Sequence, residues 1–249
     1  MLKSANLGVN KRIDVLIFAD SRGSCLEDMD VGWAPLLFNF LKKKNLSVLL
    51  VVRPKDCTVF LTLMNFLRLN KLKLNYLIAQ VGLVDFTPKK SEVINDILGQ
   101  RTGFFNKMKF RSDKLGKYSL SSGREEHLYS IEFNKSVFKN AITGCLERHC
   151  KYAVFVGTLE VDSKIKIKRK RPLEFYAKLK ESNKFLIGLQ KISKKLGYIQ
   201  PFGSSFYKPN NFSHDGVHYT KSGHKLVYNS VRSIVLKTGK FSGKEREIR

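Results

Sequence analysis

The chain has 249 residues, of which 43% are hydrophobic and 27% charged, a composition that suits a single folded domain and excludes a disordered one. Its 46 Lys and Arg against 21 Asp and Glu give a formal charge of +25, which favours polyanionic partners (nucleic acid, acidic lipid headgroups or acidic polysaccharide) and says nothing about fold. No apolar run approaches the roughly 20 residues of a bilayer span, and Lys11, Arg12 and Asp14 interrupt any signal-like stretch, so no membrane span and a cytoplasmic location are expected.

The first predicted strand, residues 13–19, runs into Asp20-Ser21 and breaks on Gly23. A hydroxyl at that place is either a helix cap or a nucleophile at the edge of a sheet. A helix over 34–45 follows, then a strand over 46–52 and a helix over 57–70. The third strand, 76–81, leads into "VGLVDFTP". Residues 86–125 then break the rhythm, with four glycines and many bases, and read as a long loop or small cap, a candidate lid. A helix is expected over 125–149, a strand over 152–156, and a helix over 174–197 that stops at Gly197. A short strand over 198–202 and a final helix over 222–237 complete the series, and residues 237–249 form a basic tail. Near-continuous apolar strands alternating with helices predict a parallel sheet covered on both faces.

The last helix is preceded by "SHDGVHYTKSGHKL", in which Asp215 and His218 are three residues apart. A carboxylate beside an imidazole fixes its tautomer and stabilises the imidazolium, leaving the other ring nitrogen to take a hydroxyl proton. The chain thus supplies a serine after its first strand and an Asp/His pair after its last. His214 and His218 also have a spacing that metal ligands use on helices, but Gly216 weakens a helix there and no further ligand cluster accompanies them, so no metal is expected. His224 reads as structural, Asp20 as a turn-stabilising residue, and Cys25, Cys57, Cys145 and Cys150 as reduced thiols.

"ADSRG" near the start and "DGVHYTKSGHKL" near the end resemble the first and last blocks of the SGNH (GDSL-type) hydrolases, over residues 12–236 or so. The resemblance implies a flavodoxin-like three-layer α/β/α sandwich with a five-stranded parallel sheet, formed by residues 1–249 as one domain. It implies Ser21 as nucleophile, His218 as general base and acid, and Asp215 as its orienting carboxylate, with no cofactor. The implied substrate is an O-acyl, most plausibly O-acetyl, ester of a carbohydrate, processed by hydrolysis or by acyl transfer, as in bacterial surface-polysaccharide modification. An acidic polysaccharide suits the charge. Nucleic acid does too, but no recognition motif accompanies it.

The sequence departs from the family pattern at the oxyanion donors. Gly82 and Asp85 fit the third block, whereas Val84 stands where an asparagine amide normally donates. The second block lacks its glycine and offers Arg53, Asp56 and Cys57 as the nearest residues around the oxyanion and substrate. Loss of one oxyanion donor typically costs about 10²–10³ in kcat. The alternative consistent with these departures is a degenerate SGNH domain that binds an acidic glycan or another polyanion without turnover.

Overall fold

The computed structural model describes residues 13–25, 29–53, 59–87, 89–90, 110–119, 125–133, 135–160, 173–202 and 217–237. Strand β1 (Val15–Asp20) is buried along its whole length. Its even-numbered Leu16 and Phe18 enter one apolar cluster, and its odd-numbered Val15, Ile17 and Ala19 enter another on the opposite face. That two-residue period explains the unbroken apolar run, since a strand covered on both faces has no solvent side to place polar residues on.

Strands β2 (Val48–Arg53) and β3 (Leu74–Gln80) flank β1, and both run parallel to it. Beyond β3, an antiparallel sheet is built from β4 (Lys89–Lys90), β5 (Phe110–Ser119) and β6 (Glu125–Phe133), in the order β4-β6-β5. The main sheet resumes with β7 (Cys150–Val156) and ends with β8 (Leu196–Ile199), all five strands parallel in the order β2-β1-β3-β7-β8. This is the flavodoxin-like order, and its direction reverses between β1 and β3, where open α/β sheets place their ligands beyond the carboxyl ends of the strands.

One face carries α2 (Val59–Leu69), the short α3 (Leu83–Phe86), α4 (Lys135–His149) and α5 (Leu173–Ile192). Phe60 of α2 lies edge-on to Phe138 of α4 at 5.8 Å and to Phe185 of α5 at 5.7 Å, so one aromatic joins three helices. The other face carries α1 (Trp33–Lys42) and α6 (Lys221–Lys237), which contribute Trp33, Leu37, Val227 and Val231 to the second cluster. Pro35 falls in the first turn of α1, where a missing N–H costs nothing.

Two element expectations are corrected. Residues 125–133 are a strand of the second sheet, and the helix begins only at Lys135, because "EEHLYSIEF" pairs antiparallel with β5 along its length. Within residues 86–125, read from the sequence as a long loop or small cap, Lys89–Lys90 and Phe110–Ser119 form β4 and β5 of that small sheet. The helix before β8 ends at Ile192, and Gly197 lies inside β8 rather than closing the helix. The three cysteines described, Cys25, Cys145 and Cys150, are buried and free.

Candidate active site

Ser21 is the first residue after β1 and opens a 3₁₀ turn, Ser21–Gly23. The cap of that turn is Asp20, whose carboxylate accepts a hydrogen bond from the Arg22 N–H at 3.0 Å. Because Asp20 supplies the cap, the Ser21 hydroxyl is not needed for it. The turn is tight. A Cβ on Gly23 would lie 2.4 Å from the Ala19 Cβ, so only glycine lets the chain fold back on its own strand here.

Across from Ser21 stands the loop entering α6. His218 Nε2 lies 3.1 Å from Ser21 Oγ, within hydrogen-bond reach, and both residues are half-buried. The two halves of this pair are 197 positions apart in sequence, and the parallel sheet brings them together. Asp215, Asp56 and Cys57 lie outside the described residues. Arg53, the last residue of β2, sits beside Asp20 in the β1–β2 register, and Gly82 follows β3 by two residues, so both are at the same end of the sheet as Ser21.

The residue after His218 anchors its loop. Tyr219 is fully buried, and its hydroxyl accepts a hydrogen bond from Gln80 Nε2 at 2.8 Å. Gln80 Oε1 accepts in turn from Trp33 Nε1 at 2.7 Å, and the Trp33 backbone N–H donates to His224 Nδ1 at 3.2 Å. This chain of bonds ties the end of β3, the start of α1 and the start of α6 to one another directly behind the Ser21/His218 pair. Burial pushes the Tyr219 phenol up to about 12, with the Arg22 guanidinium pulling the other way, so it remains a neutral hydrogen-bonding group. His224 is structural, as expected.

Arg22 is the other unanticipated group. It is 1% exposed, and its Nε donates to both Asp20 oxygens at 2.9 and 3.1 Å while Nη2 lies 2.5 Å from Oδ2. Nη1 donates to Thr158 Oγ1 beyond the end of β7. Burial works against the guanidinium charge, but the Asp20 carboxylate outweighs it and raises the Arg22 pKa. Thr158 is fixed by Asn183 of α5, which accepts from the Thr158 N–H at 2.8 Å and donates to its carbonyl at 2.9 Å.

The loop after β3 is held by Asp85. Its carboxylate accepts from the Gly82 N–H at 3.2 Å and from the Phe60 N–H at 3.0 Å, clamping the start of α3 to the start of α2. Gly82 adopts φ +100°, a conformation that glycine takes without strain. Val84 packs against the apolar cluster under α2, and its carbonyl accepts from the Lys89 ammonium. Lys89 Nζ also donates to the Thr87 carbonyl at 3.2 Å, fastening the start of β4 to the rim of this loop.

Gln80, Tyr219 and Arg22 carried no sequence signal as site residues, because each acts through a long-range partner.

No protein-family model matches the chain, and no curated protein matches it. Solved structures do. A putative lipolytic protein of the G-D-S-L family from Desulfitobacterium hafniense superposes with a TM-score of 0.52 at 13% identity, over 90% of this chain and 99% of that one. A catalytic mutant of an acetylxylan esterase from Geobacillus stearothermophilus gives 0.52 at 10% identity, over 93% and 96%. A family 3 carbohydrate esterase from Clostridium thermocellum gives 0.50 at 14% identity, over 94% and 100%. The chain has the α/β/α fold of the SGNH hydrolases, carried by a strongly divergent sequence.

Proposed function

We propose that the protein is an SGNH-type serine hydrolase that cleaves carboxylic esters, and that its substrate is an O-acyl, chiefly O-acetyl, group on a carbohydrate. The observation that carries this reading is the 3.1 Å contact between His218 Nε2 and Ser21 Oγ at the carboxyl end of β1, the position where this sheet order binds ligands. His218 takes the Ser21 proton as Oγ attacks the acyl carbon, and Asp215, three residues upstream, orients the imidazole and balances its charge. The tetrahedral oxyanion forms beside the Ser21 N–H. Since the Gly82 N–H already donates to Asp85, Gly82 shapes the wall of the site, and the second donor comes from the Asp56–Cys57 backbone or from Arg53. Collapse of the intermediate expels the sugar hydroxyl, which takes the proton from His218. Water then releases the acyl-enzyme in an esterase, or a second sugar hydroxyl does so in a transferase.

The esterase chemistry draws support from the fold shared with carbohydrate esterases. Acetylated xylo-oligosaccharides and a nitrophenyl acetate are the substrates to try first. Acetate release by the parent protein and its loss by about 10³-fold or more in Ser21→Ala are expected. Equal release by parent and variant would refute the role of Ser21.

A further inference from the structure

Among the described residues a group of cations lies at one end of the main sheet, and the catalytic reading leaves it unused. In a parallel sheet every helix-to-strand turn lies at the amino ends of the strands, opposite the site. Here all four such turns of the main sheet are basic. The turn from α1 to β2 presents Lys42, Lys43 and Lys44, all exposed. The approach from α2 to β3 presents Arg68, Lys71 and Lys73, and that from α4 to β7 presents Arg148 and Lys151, again exposed. Lys191, Lys194 and Lys195 do the same between α5 and β8, and Lys237 closes α6 at this end. Among the described residues here the acids are Glu147 and Asp14, and the Asp14 carboxylate is occupied by the Ser47 N–H at 3.2 Å and by Asn75 Nδ2 at 2.9 Å.

The helix dipole favours a cation in each last turn, which accounts for Lys42, Arg68, Arg148, Lys191 and Lys237. It does not account for Lys43, Lys44, Lys71, Lys151, Lys194 and Lys195, which lie beyond the helix ends, while Lys73 Nζ donates to the Arg148 carbonyl in the last turn of α4 at 2.7 Å. Nor does it account for the aliphatic side chains among them. Leu69 is 78% exposed at the last residue of α2, Ile192 is 47% exposed at the last residue of α5, and Leu236 is 50% exposed near the end of α6. An apolar groove of about 360 Å³ runs between α6 and β3, β7 and β8, with Lys194 and Lys195 among the residues that line it. Its floor includes Tyr76 and Tyr152, stacked at 5.8 Å near the starts of their strands.

We infer that this end of the molecule docks on an anionic phospholipid surface. Lysines there meet headgroup charge, while exposed Leu and Ile enter the interface and the tyrosines sit at headgroup depth. A nucleic acid would use the cations but offers nothing to three exposed aliphatic side chains. Docked in this way, the strands stand between the lipid and Ser21, which faces away from the surface by about 20 Å, the length of a six-residue strand.

The test is co-sedimentation of the full chain with phosphatidylcholine vesicles, with and without phosphatidylglycerol, at fixed salt. The parent binds only the anionic vesicles. Reversing Lys43, Lys44, Lys194 and Lys195 to Glu lowers partitioning at least about tenfold, whereas Lys180→Glu with Lys184→Glu, on the exposed side of α5, changes it less than about twofold. Leu69→Ser with Leu236→Ser lowers it severalfold at unchanged charge. All these positions are exposed, and an unchanged melting temperature confirms folding. Retained binding in the four-lysine variant, an equal loss in the α5 control, no effect of the Leu69 and Leu236 changes, or tighter binding to duplex DNA than to the vesicles would overturn the inference. None of these readouts depends on catalysis.

Discussion

Asp20 and Arg22 bracket Ser21 in sequence and fix it in space, and the physical interest of the pair is that both charges are buried. Each is 1% exposed. A buried ion pair contributes little relative to a well-packed apolar substitute, yet removing one partner strands the other charge and costs about 3–5 kcal/mol. Arg22→Met is therefore expected to destabilise the protein by about that amount in urea denaturation, and Asp20→Asn combined with Arg22→Met is expected to be less destabilised than Arg22→Met alone. Strict additivity in this cycle would mean that the pair does not act as a unit. At this scale the sequence was informative about the chemistry and silent about its support. Ser21, His218 and Asp215 stand out because hydroxyl, imidazole and carboxylate occupy the ends of the first and last strand-to-helix connections. Arg22, Gln80 and Tyr219 do not, because their roles come from contacts with Thr158, Trp33 and one another across the sheet.

At the scale of elements, the clamp between α2 and α3 turns on Asp85. Burial raises its carboxyl to about 6, and the Lys89 ammonium and the Phe60 and Gly82 N–H groups oppose that rise without cancelling it. The folded carboxyl thus holds its proton more tightly than the unfolded one, whose pKa is about 3.9. From linkage, the contribution of this group to stability grows as pH falls through 6, is complete below about 4, and is lost again as pH rises. The change is on the order of 2–3 kcal/mol. Subtracting the Asp85→Asn unfolding free energies from those of the parent between pH 4 and 7 isolates it, and a flat difference would contradict the assignment. The same scale shows where pattern reading fails. All five strands of the main sheet were legible as apolar runs, within two or three residues, because strands buried on both faces have no alternation to obscure them. Residues 125–133 were misread because "HLYSIEF" places apolar residues at intervals of two and three, compatible with either element, and only pairing with β5 decides between them.

For the whole molecule, topology separates the residues gathered at the two ends of the main sheet. Parallel strands collect Ser21, His218, Arg53 and Gly82 at their carboxyl ends, and lysine-rich turns at their amino ends. The meeting of Ser21 and His218 at one end of the sheet was legible in the order of events along the chain. The basic end was invisible in the sequence because its cations are scattered over four short turns and the end of α6, which only the sheet unites. What the account claims centrally is that Ser21 is a nucleophile activated by His218. The direct measurement is labelling with a serine-directed phosphonate, locating the adduct by mass spectrometry, and comparing rates with His218→Ala and Ser21→Ala proteins of unchanged melting temperature. A single adduct on Ser21, slowed at least about 10³-fold in His218→Ala and absent in Ser21→Ala, is predicted. No adduct on Ser21 in the parent, or labelling of Ser21 at the same rate without His218, would contradict it.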